Sequence, residues 1–403
     1  MTRMPHTDTQ PAIGRSLDMP WPLLIAACLT TFAVTASGSA RSPFILDMSE
    51  DLNVSIPLIA NLFGFTSVFW GIASYVAGRA SDRFGRRAFL VLGPLGLALT
   101  CVGVANATSY ASTAFWIMLS GAFCGTYTGV SMAEVSARVP DRQRGRALGW
   151  VMSGQSLNLL IGIPAAAWLG ASIGWRGVHY CLAALVLACA IASALTASVR
   201  ARPVRVTGHG PSAESPPPRA TDTSVLKLLF AVVMERICFG LAAVYYPTFL
   251  QLSYAVSLRE LPIPLAAFAF GNILGTTIGG VLADKYDNRR GVFRVNMLIA
   301  AALSLALFGW TPHLWLTILL GFGYAFSNAL CRPALMSLIA DVPAETRGRV
   351  MGLMGTFASL GWLGAAALGG WIMTGMGFAG FGPLILLLAL LAVLLVRAQR
   401  LPG

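Results

Sequence analysis

Four charged residues, Arg41, Glu235, Arg236 and Arg332, stand inside long apolar stretches of this chain. An ion in hydrocarbon surroundings costs several kcal/mol unless it is paired or hydrated, so such residues mark ion or solute chemistry. Glu235 lies ten residues beyond Val225, which opens its apolar run. At 1.5 Å per helical residue that depth is about 15 Å, near the midplane of a bilayer. A carboxylate there is suited to gaining and losing a proton, and a proton and a cationic solute competing for it would be exchanged one for the other. The plainer reading of Glu235 is a salt bridge with Arg236 or Arg332. Arg332 lies nine residues short of Asp341, at a matching depth in another run. Arg41 follows about twenty apolar residues and reads equally well as an anion contact or as a side chain reaching for the interface.

The residues of familiar enzyme chemistry are absent from their usual patterns. Only Lys227 and Lys285 are lysines, and neither follows a glycine or precedes Ser/Thr in a phosphate loop. ATP hydrolysis is therefore excluded, and any transport must run on an ion gradient. His6, His179, His209 and His313 are far apart with no H-E-x-x-H, which argues against a zinc hydrolase. Seven cysteines, all within apolar runs and without C-x-x-C, read as small packing residues rather than a metal site or disulfide frame. No cofactor is expected.

The elements that must position the buried charges are membrane spans. Of 403 residues, 56% are hydrophobic and only 11% charged, against about a quarter charged in soluble domains. Apolar runs recur at 21–46, 57–77, 88–107, 112–136, 148–171 and 177–199, then at 225–251, 261–283, 295–311, 314–340, 350–374 and 378–396. These twelve runs predict an all-α integral membrane protein with twelve transmembrane helices. The net charge of +12 is carried by arginines in short loops, which reads as topology signalling rather than as a nucleic-acid surface. With the N-terminus inside, 22 Lys and Arg fall on the inner side and only Arg176 and Arg259 on the other. Both termini are thus expected in the cytoplasm, with the chain in the inner (plasma) membrane. A cleaved leader over the first run would leave eleven spans and break this pattern.

The chain divides into a tail (1–20), a six-helix unit (21–199), a Pro- and Arg-rich linker (200–224), a second six-helix unit (225–396) and a short tail (397–403). The units repeat. Val139-Pro-Asp-Arg-Gln-Arg-Gly-Arg matches Val342-Pro-Ala-Glu-Thr-Arg-Gly-Arg at an offset of 203 residues. The loop from Gly78 through Asp82 to Arg87 matches Gly280 through Asp284 to Arg290 at nearly the same offset. Two such matches point to a duplicated six-helix unit with a central cavity, the architecture of secondary transporters.

With these motifs in place the chain resembles the major facilitator superfamily over nearly its whole length, and in particular its drug:proton antiporter branch. The loop Gly78-Arg-Ala-Ser-Asp82-Arg83-Phe-Gly85-Arg86-Arg87 is similar to the family's cytoplasmic latch. That resemblance gives Gly78, Asp82, Arg83, Gly85, Arg86 and the echo residue Asp284 a gating role, by ion pairs made and broken across the seam between halves. Glu134 and Arg138, at i and i+4 on one helical face, are expected to brace it. Gly154, Gly162 and Pro164, with Gly174-Trp-Arg176, resemble the antiporter signature, although Ala165 to Ala167 replace a usual glycine pair. The family's arginine in the fourth span is missing, since Gly121-Ala-Phe-Cys-Gly125 stands there. In this superfamily the first, fourth, seventh and tenth spans line the cavity, so Glu235 and Arg332 would face each other across it.

The resemblance implies a secondary transporter, with Glu235 as the proton-coupling carboxylate. Arg41, Tyr127, Gln155, Asn158, Tyr324, Asn328 and Arg332 are the candidate cavity residues, although each polar residue alone reads as readily as a helix–helix hydrogen bond. The expected activity is proton-coupled efflux of a small organic solute by a monomer that works with protons, a small-molecule substrate and the lipid bilayer. The competing readings are proton-coupled uptake of an organic anion and a non-transporting sensor or lipid-handling protein.

Overall fold

The computed structural model of the chain describes residues 20–139, 141–196, 223–286, 288–310, 313–341 and 344–397. The first half holds α1 (Trp21–Ser39), a 3-10 turn (Ser42–Phe44), α2 (Ile45–Asp51), α3 (Ile56–Phe84), α4 (Arg86–Ala105), α5 (Tyr110–Arg138), α6 (Asp141–Leu157), a π turn (Asn158–Gly162) and α7 (Ile163–Thr196). The second holds α8 (Thr223–Tyr254), α9 (Pro262–Lys285), α10 (Arg289–Gly309), α11 (Leu314–Ala340), α12 (Ala344–Met376), a 3-10 turn (Phe378–Gly380) and α13 (Phe381–Arg397). The expected linker up to residue 222, residues 1–19 and residues 398–403 lie outside the described residues.

Helix starts follow local chemistry. Pro22, Pro57 and Pro262 sit in the first turns of α1, α3 and α9, where a missing N–H costs nothing. Ser109, Asn288 and His313 accept hydrogen bonds from the backbone N–H groups of Ser112, Gly291 and Trp315, closing the starts of α5, α10 and α11. Among the described residues, ten stretches are long and apolar enough to cross a membrane. One of them, 54 residues long, breaks at Gly174, whose φ of 67° favours glycine; it makes the fifth and sixth spans. With α5, 29 residues long, the count is twelve.

Several expected boundaries move, among them the end of the first span and the start of the fifth. The first helix stops at Ser39 rather than near residue 46, because Pro43 has no N–H to give back to the Ser39 carbonyl and the chain tightens into the 3-10 turn. The fifth span starts at Asp141 rather than 148, because arginine is a good helix former even where hydropathy is low.

The two halves use one packing plan. In the first, α3 and α4 pack on α5, α4 on α7, and α1 on α6 and α7. In the second, α9 and α10 pack on α11, α10 on α13, and α8 on α12 and α13. The tightest pairs run on small residues. A Cβ on Gly121 or Gly125 of α5 would lie 2.4 or 2.2 Å from the carbonyl oxygens of Thr66 and Trp70. This close approach is the use made of the segment where the family's arginine was sought.

Candidate functional site

The halves meet along α3 and α12, and along the π turn, α7 and α9. From the end of α3 that carries Pro57 to its middle the α3–α12 seam is tight. A Cβ on Gly370 would stand 2.9 Å from Pro57 Cβ, one on Gly64 2.8 Å from Leu363 Cδ1, and one on Gly71 3.2 Å from Ser359 Oγ. Gln251 Nε2 adds a hydrogen bond to the Pro43 carbonyl at 3.0 Å, tying α8 to the 3-10 turn after α1. Farther along, a Cβ on Gly78 or Gly355 would meet nothing within 4 Å. Among the described residues, the seam is therefore closed at the Pro43–Pro57 end and has no such close approach at Gly78 and Gly355, toward the end that bears the arginine-rich loops.

Between them lies a cavity of about 280 Å³. Its wall is neutral throughout. Phe63, Trp70, Phe239 and Trp362 supply aromatic surface, and Thr35, Ser39, Ser67, Gln155 and Asn158 supply hydrogen-bonding groups. Phe239 and Trp362 stand edge to face with centroids 5.8 Å apart, and Trp70 donates to Thr128 Oγ1 at 3.0 Å, which fixes its ring.

Asn158 is placed by a distortion. Pro164 has no N–H to give to the preceding turn, and the helix answers with a π turn in which the Ile163 N–H reaches back to the Asn158 carbonyl. Such bulges are frequent at functional sites. The Asn158 amide donates to Ser39 Oγ at 2.8 Å, while its Oδ1 is buried without a partner. A Cβ at Gly162 would fall 2.4 Å from that oxygen, so Gly162 makes room for it. Gly154, one turn earlier, lets α6 touch α1: its Cβ would lie 2.3 Å from the Cys28 carbonyl.

The buried charges stand one layer behind the wall. Arg41 is 1% exposed and donates from Nη2 to Thr66 Oγ1 at 2.8 Å. Its guanidinium lies 4.8 Å from the Phe63 centroid, and its Nε has no hydrogen-bond partner. It is a buried cation in the first half, and so does not reach the interface. Glu235, also 1% exposed, accepts from Arg236 Nε at 2.5 Å and Nη2 at 2.7 Å. Arg332 Nη2 stands 3.6 Å from the same carboxylate, within ion-pair reach but too far to hydrogen-bond. Arg332 Nε and Nη2 are buried without hydrogen-bond partners. Both arginines lie against the Phe239 ring, at 5.6 and 5.0 Å. The structure thus places Glu235 and Arg332 within ion-pair reach of each other inside the second half, behind the wall rather than facing across the cavity, with Arg236 as the closer partner.

Of the remaining expected cavity residues, Gln155 and Asn158 line the wall, whereas three stay inside their own halves. Tyr127 packs against α1, its hydroxyl 3.5 Å from the Ala27 carbonyl. Tyr324 donates to the Cys238 carbonyl at 2.6 Å. Asn328 is fully buried. The aromatic wall was missed from sequence; tryptophans in span interiors, away from the interfaces where they usually collect, were the available signal.

At the parted end, Gly85, with φ of 88°, turns the chain from α3 into α4. Arg86 donates to the Ala133 carbonyl at 3.0 Å and stands 3.7 Å from Glu134, and Glu134 pairs with Arg138. In the second half Arg289, which is 203 residues beyond Arg86, pairs with Asp341 at 3.0 Å. The Arg86–Glu134 and Arg289–Asp341 pairs bridge spans within each half. Arg83 and Asp284 are exposed, and the side chain of Asp82 lies outside the described residues. At the closed end Asp51 accepts from Trp175 at 2.7 Å and pairs with Arg176.

Comparison with known proteins agrees with this architecture. The family model described as Major Facilitator Superfamily matches residues 25–229 and again 228–402. The Fosmidomycin resistance protein of Escherichia coli (strain K12) is 27% identical, over 87% of this chain and 90% of its own. Multidrug resistance protein 2 of Bacillus subtilis (strain 168) is 27% identical over 74% and 76%. The probable 4-methylmuconolactone transporter of Cupriavidus pinatubonensis is 25% identical over 88% and 90%. Among solved structures, a bacterial homologue of the human lysosomal transporter Spinster, inward-facing and unoccupied, superposes with a TM-score of 0.76, covering 95% of this chain and 98% of that one at 16% identity. Two matches of one family model, one to each half, account for the repeated packing plan: the chain belongs to the Major Facilitator Superfamily.

Proposed function

We propose that this protein is a secondary active transporter that moves a small organic solute by alternating access, coupled to protons, in the direction of export. The observation that carries the reading is a cavity between two like halves, closed at one end and open at the other. With the arginine-rich loops inside, the state described is inward-open. Rocking the halves about the cavity closes the arginine-rich end, and there Asp82 and Arg83 pair across the seam. Glu235 is the coupling carboxylate: a proton reaches it only when Arg236 and Arg332 draw back, so protonation is tied to the position of the helices. Export is supported by the resistance proteins among the relatives and by the Gly154, Gly162 and Pro164 pattern.

A second reading, proton-coupled uptake of an organic anion, is favoured by one observation, the unsatisfied Nε and Nη2 of Arg332 beside Glu235. The test of both is a panel of labelled solutes in proteoliposomes under an imposed pH gradient, run in both orientations. Glu235→Gln should abolish accumulation driven by pH while solute-for-solute exchange persists. Accumulation undiminished in Glu235→Gln would put the coupling group elsewhere.

A further inference from the structure

We infer that the cavity selects anions: its solute is a small organic anion with an aromatic or apolar body. The wall itself is neutral, so the field inside is set by the layer behind it, and that layer carries positive charge on both sides. In the first half Arg41 makes no ion pair among the described residues and rests on the Phe63 ring. In the second, Arg236 and Arg332 share the single carboxylate of Glu235 and rest on the Phe239 ring, leaving one positive charge in excess. Phe63 and Phe239 both line the cavity. Glu134 is matched by Arg86 and Arg138 at the parted end and Asp51 by Arg176 at the closed end, and Asp47 and Glu50, on α2 at the closed end, do not line the cavity.

Two net cations in a low-dielectric layer attract an anion into the space between them and repel a cation. Arg41 Nε and Arg332 Nε have no hydrogen-bond partner, so neither guanidinium has all its donors matched within its own half. A volume of about 280 Å³ sits at the small end of ligand pockets, which suits a body of one or two rings against Trp70 and Trp362. The inference rests on the transport reading and names its substrate class.

The field can be measured without knowing the solute. Ser67→Cys and Ala243→Cys each place a thiol on the cavity wall, one from each half, and Thr108→Cys on an exposed loop serves as reference. The purified proteins are treated with sulfonatoethyl (anionic) and trimethylammonioethyl (cationic) methanethiosulfonate, with the unsubstituted chain as the blank for native cysteines. Normalised to the loop thiol, the anionic reagent should react about tenfold or more faster than the cationic one at both cavity positions. Arg41→Gln and Arg332→Gln should each lower that ratio several-fold. A ratio near or below one, or one that neither substitution changes, overturns the inference. Should one arginine variant not fold, the parent ratio and the other variant decide. The measurement reads the cavity in a protein that need not transport, so its failure is distinct from failure of the transport assignment.

Discussion

Gly370→Ala pushes a methyl group into the seam that closes the cavity. The new Cβ stands 2.9 Å from Pro57 Cβ, 3.5 Å from Pro57 Cα and 3.6 Å from Tyr245 Oη. The closest of these is about 0.5 Å inside ordinary contact, and its neighbour is a rigid ring in the first turn of α3 rather than the free end of a side chain. Overpacking of this kind costs about 1–2 kcal/mol, and only in the state where α3 and α12 touch here. At about 1.4 kcal/mol per factor of ten, the balance shifts roughly 5- to 30-fold toward the state in which this end is open. The readout is Ser67→Cys in intact cells, labelled by an impermeant thiol reagent from outside, with Thr108→Cys as the always-accessible control. Outside labelling should be slow in the parent and rise by that factor in Gly370→Ala. Unchanged labelling in a folded, membrane-inserted variant would refute the seam as the closing contact. Fast labelling in the parent would refute the assigned orientation instead.

Asp82→Asn keeps the volume and removes the charge proposed to pair across the seam. Transport should fall at least tenfold while insertion and thermal stability are kept, and normal transport would reduce the motif to a topology signal. A reporter fused after Pro218 should be active only if it is a cytoplasmic reporter; activity of a periplasmic one overturns the placing of the termini. In the loop between α8 and α9, the backbone N–H and hydroxyl of Ser257 hold the Glu260 carboxyl below its ordinary range. A depressed folded value means the stabilisation is present above the unfolded carboxyl pKa and lost as pH falls through the folded one. Wild type and Glu260→Gln should therefore differ slightly in melts at neutral pH and converge in acid; a gap that widens in acid would contradict the assignment.

The number of spans, the repeat and the existence of buried charge were all legible in the chain because each is local. A run of about twenty apolar residues crosses a bilayer whatever it packs against, and arginines in short loops bias its direction. The pair Glu134–Arg138 follows from helical spacing alone, whereas depth gave Glu235 and Arg332 one level in the membrane and only the packing of α8 on α11 makes them an ion pair behind the wall. Which way a side chain faces was a different matter. In a soluble helix, polarity separates the buried face from the exposed one, but lipid is as apolar as a bundle core, so a span's periodicity does not name its partner. Tyr127, Tyr324 and Asn328 have the polarity of cavity residues and are packed inside their own halves. Phe63, Trp70, Phe239 and Trp362 look like core and form the wall. Arg41 reads equally well as an anion contact or an interface residue, and only the fold reveals a buried cation held by Thr66 from the neighbouring span. The closed seam and the Asn158 π turn likewise depend on how two halves dock and how one helix absorbs Pro164, and those arrangements exist only once the helices have come together.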